Sequence, residues 1–217
     1  MNVIAFVTQK GGTGKSSLAV SLAVAAEERG LKTSIIDLDP QGTAKNWYER
    51  REGTGGPEVN AIQAGQLDAA IGILKKQGVQ LVIIDTPGVD TPAATAAIQV
   101  ANLCLIPARP SIADIEAAAP TVRSITRLGK PFSYVLNQCP PGRSIRTSDA
   151  FRVLQLSGAV ASTPLAMRAD HMDALATGQG VTERDTTSKA ATEVRELLQW
   201  ALNRMEGKQH GQETRVA

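Results

Sequence analysis

Two lysines, three glycines and a serine between positions 10 and 16 are the side chains of this sequence best placed to do chemistry. The segment Lys10-Gly11-Gly12-Thr13-Gly14-Lys15-Ser16 follows a short β-branched apolar run, Val3 to Thr8. It precedes an alanine- and leucine-rich stretch, Ser16 to Arg29, that closes at Gly30. A loop between a strand and a helix N-terminus can turn its backbone N–H groups onto a polyphosphate, and the helix dipole adds to the attraction. Gly11, Gly12 and Gly14 permit φ > 0 and let the backbone approach without a Cβ in the way. Thr13 belongs to the same cradle, Lys15 reaches the β- and γ-phosphates, the Ser16 hydroxyl is placed for magnesium, and Ser17 falls near the α-phosphate. The chemistry expected here is binding of a nucleoside triphosphate with Mg2+.

The common phosphate-loop pattern asks for glycine five residues before Gly14, and this sequence has Gln9 there. In its place stands an additional lysine, Lys10, directly before the glycine pair. Three aspartates complete the candidate site. Asp37 and Asp39 lie at the end of the apolar run Thr33 to Asp39, ahead of Pro40. Asp85 follows Leu81-Val82-Ile83-Ile84 and leads into the tight turn Thr86-Pro87-Gly88. A carboxylate at the end of a buried strand is the usual magnesium partner opposite a phosphate loop. Asp85, Asp39 and, through water, Asp37 are the candidate carboxylates.

The elements that must position these residues are legible from continuous apolar runs. Besides those already named, Leu103 to Ile106 and Phe132 to Leu136 read as strands, with weaker runs at Val59 to Ala64 and Ala159 to Ala161. Uninterrupted apolar strands are buried on both faces, as in a parallel sheet covered by helices. Helical patterns lie at 66–77, 91–100, 111–128, Ser148 to Leu156, Met167 to Ala176 and Thr187 to about Met205. These predict an α/β, three-layer P-loop fold with a mostly parallel central sheet of about seven to eight strands and helices on both faces. Residues 1–206 read as one domain and 207–217 as a polar, disordered tail.

Composition narrows the setting. The 217 residues are 42% hydrophobic and only 3% aromatic, so the core must be aliphatic. No run reaches the roughly 20 apolar residues of a membrane span, and the N-terminus has no signal-peptide pattern, so a cytoplasmic protein is expected. Cys104 and Cys139 sit singly inside apolar runs, which suits buried reduced thiols. Residues 1–120 hold 10 Lys/Arg against 12 Asp/Glu and residues 121–217 hold 13 against 9, a modest basic excess in the C-terminal half.

The phosphate loop with Lys10, the segment Asp37-Leu38-Asp39-Pro40-Gln41-Gly42 and the segment Val82-Ile83-Ile84-Asp85-Thr86-Pro87 together resemble the ParA/MinD family of deviant Walker A ATPases. The resemblance is nearest to the small ParA-type partition proteins and extends to about residue 205. It implies a slow, partner-stimulated ATPase that forms an ATP-dependent homodimer, with Lys10 crossing to the phosphates of the other subunit. Lys10, Lys15 and Asp39 would be its catalytic residues, Asp39 the switch I aspartate acting on the attacking water. Thr86, Pro87 and Gly88 would form switch II and sense the γ-phosphate. Asn137, with Gln138, matches the position that reads the adenine edge, and Pro164 and Met167 pack on the base. The segment from Ile106 to Asp114, with Arg109, resembles the passage near the dimer interface.

Within that family, a DNA-binding arm ahead of the first strand and an amphipathic membrane helix in the tail from Gly207 are not expected, and Cys104, inside a strand, is not expected to hold a shared cluster at a dimer axis. A small ParA-type switch is the reading that remains. The resemblance implies a protein that would bind nonspecific DNA as the ATP dimer, associate with the nucleoid, and segregate or position a plasmid, chromosome region or other cargo with an adaptor or centromere-binding protein. Arg143, Arg146, Arg152, Arg168, Lys189 and Arg195 are the candidate DNA contacts. A MinD-like spatial regulator and a metabolic P-loop enzyme acting on a small molecule are the alternatives.

Overall fold

The computed structural model describes residues 1–51 and 55–207. Seven parallel strands are described: β1 (Asn2–Phe6), β2 (Thr33–Asp37), β3 (Glu58–Ala61), β4 (Leu81–Asp85), β5 (Leu103–Ala108), β6 (Phe132–Leu136) and β7 (Ala159–Val160), in the order β3-β2-β4-β1-β5-β6-β7. The α-helices are α1 (Lys15–Glu28), α2 (Thr43–Arg50), α3 (Leu67–Lys76), α4 (Pro92–Val100), α5 (Ile112–Arg127), α6 (Ile145–Gln155), α7 (Ala169–Ala176), α8 (Val181–Arg184) and α9 (Lys189–Met205). The three-layer expectation holds, with every strand pairing parallel.

The continuous apolar strands feed both layers, as their lack of alternation requires. Ile4 and Phe6 of β1 join one core with α1, α2, α7, α8 and α9, while Val3 and Ala5 join the other with α3, α4, α5 and α6. The register sets Phe6 beside Asp85 and Asp37 beside Asp85, so the C-terminal ends of β1, β4 and β2 deliver the loop and the aspartates to one edge of the sheet. Ligands of open α/β sheets bind at that edge.

Two helices escape sequence reading. In α2 only Ala44 and Trp47 are buried, too few for an apolar stripe, and the helix forms where the backbone N–H of Lys45 donates to Asp37 Oδ2 at 3.0 Å. Trp47 is fully buried and donates Nε1–H to Gln179 O at 3.0 Å. The single turn α8 is held at its start by Gly180 N donating to Glu183 Oε2 at 2.9 Å, and Glu183 also pairs with Arg51 at 2.5 Å. The Trp47–Gln179 and Arg51–Glu183 contacts each join residues 132 positions apart. Of the expected tail, only Gly207 lies within the described residues. Among the described residues no helix is long and apolar enough to cross a membrane.

Candidate functional site

The phosphate loop is built by two left-handed glycines, Gly12 at φ 74° and Gly14 at φ 92°; Gly11 does not use that region. Gly14 is constrained twice, because a Cβ there would stand 2.4 Å from Asn137 Nδ2. Helix α1 then begins at Lys15 with no side-chain cap and no acid in its first turn. Its leading N–H groups therefore remain available to an anion.

The two lysines point apart. The Lys15 ammonium is buried and donates to Lys10 O at 3.4 Å. Burial lowers its pKa, opposed by the charges of Asp85 and Asp39. Lys10 turns instead to α5, where its Nζ donates to Asp114 Oδ2 at 2.9 Å. Asp114 also receives Arg109 Nε at 2.9 Å and the Ser111 hydroxyl at 2.5 Å. Burial pushes its carboxyl up, but the hydrogen bonds from Ser111, Arg109 and Lys10 outweigh that and hold it down at about 2. Two turns further along α5, Thr121 Oγ1 accepts from the backbone N–H of Gln9 at 3.2 Å. Helix α5 thus grips the start of the loop at Gln9 and Lys10, a connection that no local sequence signal marks.

Asp85 is fully buried and neither carboxylate oxygen has a hydrogen-bond partner. Burial raises its carboxyl to about 7, with Asp37 and Asp39 adding to the rise and the Ser16 hydroxyl and Lys15 opposing it. A buried carboxylate left unsatisfied beside a serine hydroxyl is costly unless a cation arrives. Among the described residues no group of three or more His, Cys, Asp or Glu could cage a metal. Ser16 and Asp85 fit Mg2+, which takes few protein ligands and completes its shell with water and phosphate oxygens.

Asp37 is committed to the backbone: its Oδ1 accepts from Asp39 N and its Oδ2 from Lys45 N, each at 3.0 Å. It braces the turn after β2 and starts α2. Burial raises its pKa, against the pull of those amides. Asp39 is half-buried at that edge and accepts from Gln41 N at 2.9 Å. On the neighbouring strand Thr86 donates its hydroxyl to Phe6 O at 2.7 Å. Gly88, after the buried Pro87, presses on the phosphate loop, since a Cβ there would lie 3.0 Å from Gly11 Cα and 3.3 Å from Lys15 Nζ. A movement of one turn must be felt by the other.

At the opposite rim, Asn137 Nδ2 donates to Thr13 O at 2.8 Å and Gln138 Nε2 to Gly12 O at 3.1 Å. One amide N–H of each holds the loop. Gln138 takes φ 52°, a left-handed conformation. Leu165 N donates to Leu136 O at 2.9 Å and Met167 N to Cys139 O at 2.8 Å, which brings Pro164 and the 63% exposed Met167 to the same rim. Ser17 sits in the first turn of α1.

The candidate basic residues lie on or beside three elements, α6, α7 and α9. Arg168 is locked to Glu193 at 2.6 Å and Arg195 to Glu28 at 2.6 Å, so both are structural ion pairs rather than free cations. Arg143 and Arg146 are exposed at the start of α6, and Arg152 lies on that helix 3.8 Å from Asp149. Lys189 opens α9, whose core belongs to the opposite layer. Arg143, Arg146 and Arg152 lie close together in sequence, just before or on α6.

The loop and the fold recur in known proteins. A maintenance of carboxysome distribution protein A from Gloeobacter kilaueensis is 32% identical over 160 residues, spanning 72% of this chain and 72% of that protein. Its namesake from Halothiobacillus neapolitanus is 25% identical over 203 residues, 90% of this chain and 94% of that one. The septum site-determining protein MinD of Pyrococcus horikoshii, solved with Mg-ADP, superimposes with a TM-score of 0.74 at 18% identity, over 96% of this chain and 99% of that one. Residues 4–217 match the CobQ/CobB/MinD/ParA nucleotide-binding domain, and the chain belongs to that family.

Proposed function

We propose that this protein is an ATP-hydrolysing switch that forms an ATP sandwich dimer and positions a cargo with a partner protein. The observation that carries the reading is the divergence of the two loop lysines. Lys15 lies inside the cradle, whereas Lys10 leaves the same loop toward Asp114 of α5. A cation delivered from a second subunit would neutralise charge on the transferring phosphoryl group, as an arginine finger does.

In this reading residues 1–206 act as one unit. Backbone N–H groups from Gly11 to Ser17 bind the phosphates, Lys15 neutralises them, and Ser16 with Asp85 holds Mg2+, which supplies charge stabilisation. Asp39 orients the attacking water, and Asp37 keeps Asp39 in place through its bond to the Asp39 amide. Thr86, Pro87 and Gly88 report the γ-phosphate to the dimer face. Gln138, Pro164 and Met167 line the base, with Asn137 setting the loop height. The Mg-ADP bound by the Pyrococcus horikoshii MinD and the carboxysome-distribution role in the names of the two relatives support the cofactors and the positioning role. Nonspecific DNA would be met by Arg143, Arg146 and Arg152, placing the ATP form on the nucleoid.

Size exclusion of an Asp39→Ala variant, with and without ATP and Mg2+, tests the dimer: the ATP-trapped form should elute at twice the monomer mass, and a monomer would sink the sandwich. DNA mobility shifts with ATP, ADP and Lys10→Ala test the switch. Equal binding in all three would remove it. ATPase activity that needs a small-molecule substrate and ignores DNA would favour a metabolic enzyme.

A further inference from the structure

The segment from Thr163 to Arg168 carries Pro164 and Met167 to the rim, yet the sheet holds it along one side only. Strand β7, at the sheet edge, is two residues long. Beyond it, Leu165 donates its N–H to Leu136 O at 2.9 Å and accepts at its carbonyl from Cys139 N at 3.0 Å, while Met167 N donates to Cys139 O at 2.8 Å. The N–H of the intervening Ala166 turns the other way, as alternation along an extended segment requires, and is taken by Glu193 Oε2 of α9 at 3.1 Å. The same carboxylate receives Arg168 Nη2 at 2.6 Å and Nε at 3.4 Å, a fork that fixes orientation as well as distance. Both side chains of that pair are largely shielded, 20% and 16% exposed. One turn further along α9, Glu196 Oε2 accepts the Thr163 hydroxyl at 2.8 Å. Two acids three residues apart on one helix face thus grip both ends of the segment. Their helix is itself fixed against the one that begins at the phosphate loop. Val194 and Leu197, each directly following one of the acids, are fully buried in one core with Leu18, Leu22 and Ala25 of α1.

We propose that Glu193 and Glu196 are positioning residues for the nucleotide base: through them α9 holds the 163–168 segment at a set distance from the phosphate cradle, so that Pro164 and Met167 meet the base already in place. The inference rests on the reading above that this segment lines the base. A wall ordered in advance raises affinity by removing the cost of ordering it during binding. Here the gain reaches only the part of the ligand beyond the phosphates, because the cradle is held from its other side by Asn137 and Gln138.

The test compares, by isothermal titration calorimetry, the affinities of the protein for Mg-ADP and for Mg-pyrophosphate, which fills the phosphate cradle alone. Glu193→Ala should weaken ADP about tenfold and leave pyrophosphate within about twofold of the parent. Glu193→Gln keeps an acceptor for the Ala166 N–H but not the charge that Arg168 meets, and should weaken ADP by less. Glu196→Ala releases Thr163 alone and should act in the same direction. Glu28→Ala breaks a different ion pair of α9, the one with Arg195, at the end of α1 away from the loop, and should leave the ratio of the two affinities where it is. A ratio unchanged in Glu193→Ala, or one that falls equally in Glu28→Ala, would overturn the positioning role and leave the base reading standing. Loss of pyrophosphate binding in both Glu193 variants would mean that the residue acts through the fold as a whole, and would overturn it too. A parent protein that binds ADP no more tightly than pyrophosphate would instead remove the base reading, and the positioning role with it.

Discussion

Substituting Gly14 by alanine tests the phosphate loop at its tightest point. At φ 92° an L-residue is strained, by about 1–2 kcal/mol. The new Cβ would also stand 2.4 Å from Asn137 Nδ2, well inside contact distance. Asn137 must give way, and with it goes a buried hydrogen bond to Thr13 O, about 1–3 kcal/mol if both groups are left unsatisfied. The sum is about 2–5 kcal/mol, measurable as a fall in the urea midpoint of the nucleotide-free protein. Asn137→Ala alone should cost the hydrogen bond only. In the double variant the clash is gone and the bond is lost once rather than twice, so its cost should fall short of the sum of the single costs by about 1–3 kcal/mol. Strict additivity would refute the reasoning, because it would mean that the two residues do not meet.

Two further outcomes follow from burial. Asp85→Asn removes an unpartnered buried charge, so the nucleotide-free protein should melt about 2–4 °C higher while the extra stabilisation that Mg2+ adds to ATP disappears; thermal scans with ATP, with and without EDTA, check both. Burial pushes the Cys104 thiol up to about 12 and the Cys139 thiol up to about 11. At pH 8 iodoacetamide should therefore leave both unmodified over an hour in the native protein and alkylate both in urea, as intact-mass spectrometry would register.

Local chemistry explains why so much of the site was legible. The loop from Lys10 to Ser16 needs residue types that no other environment selects together, and the strands ending in Asp37 and Asp85 announce themselves by apolar runs that only a doubly covered sheet can bury. Helix α2 was hidden because its start is stabilised by a carboxylate of another element and its face is a single tryptophan and alanine. Charge is visible in a sequence, but whether an arginine is free or spent on Glu193 or Glu28 depends on neighbours 25 and 167 positions away.

The layered α/β fold, and the arrival of the glycine loop and the aspartates at one edge of the sheet, could be read from periodicity and from the conformational demands of contiguous residues. Only the tertiary structure decided what those residues hold onto. It turned Asn137 and Gln138 toward the loop, committed Asp37 to two backbone amides, and set Lys10 against Asp114, 104 residues away. Hydrogen bonds and ion pairs act over about 3 Å, and which groups come that close is settled by how the strands order themselves in the sheet.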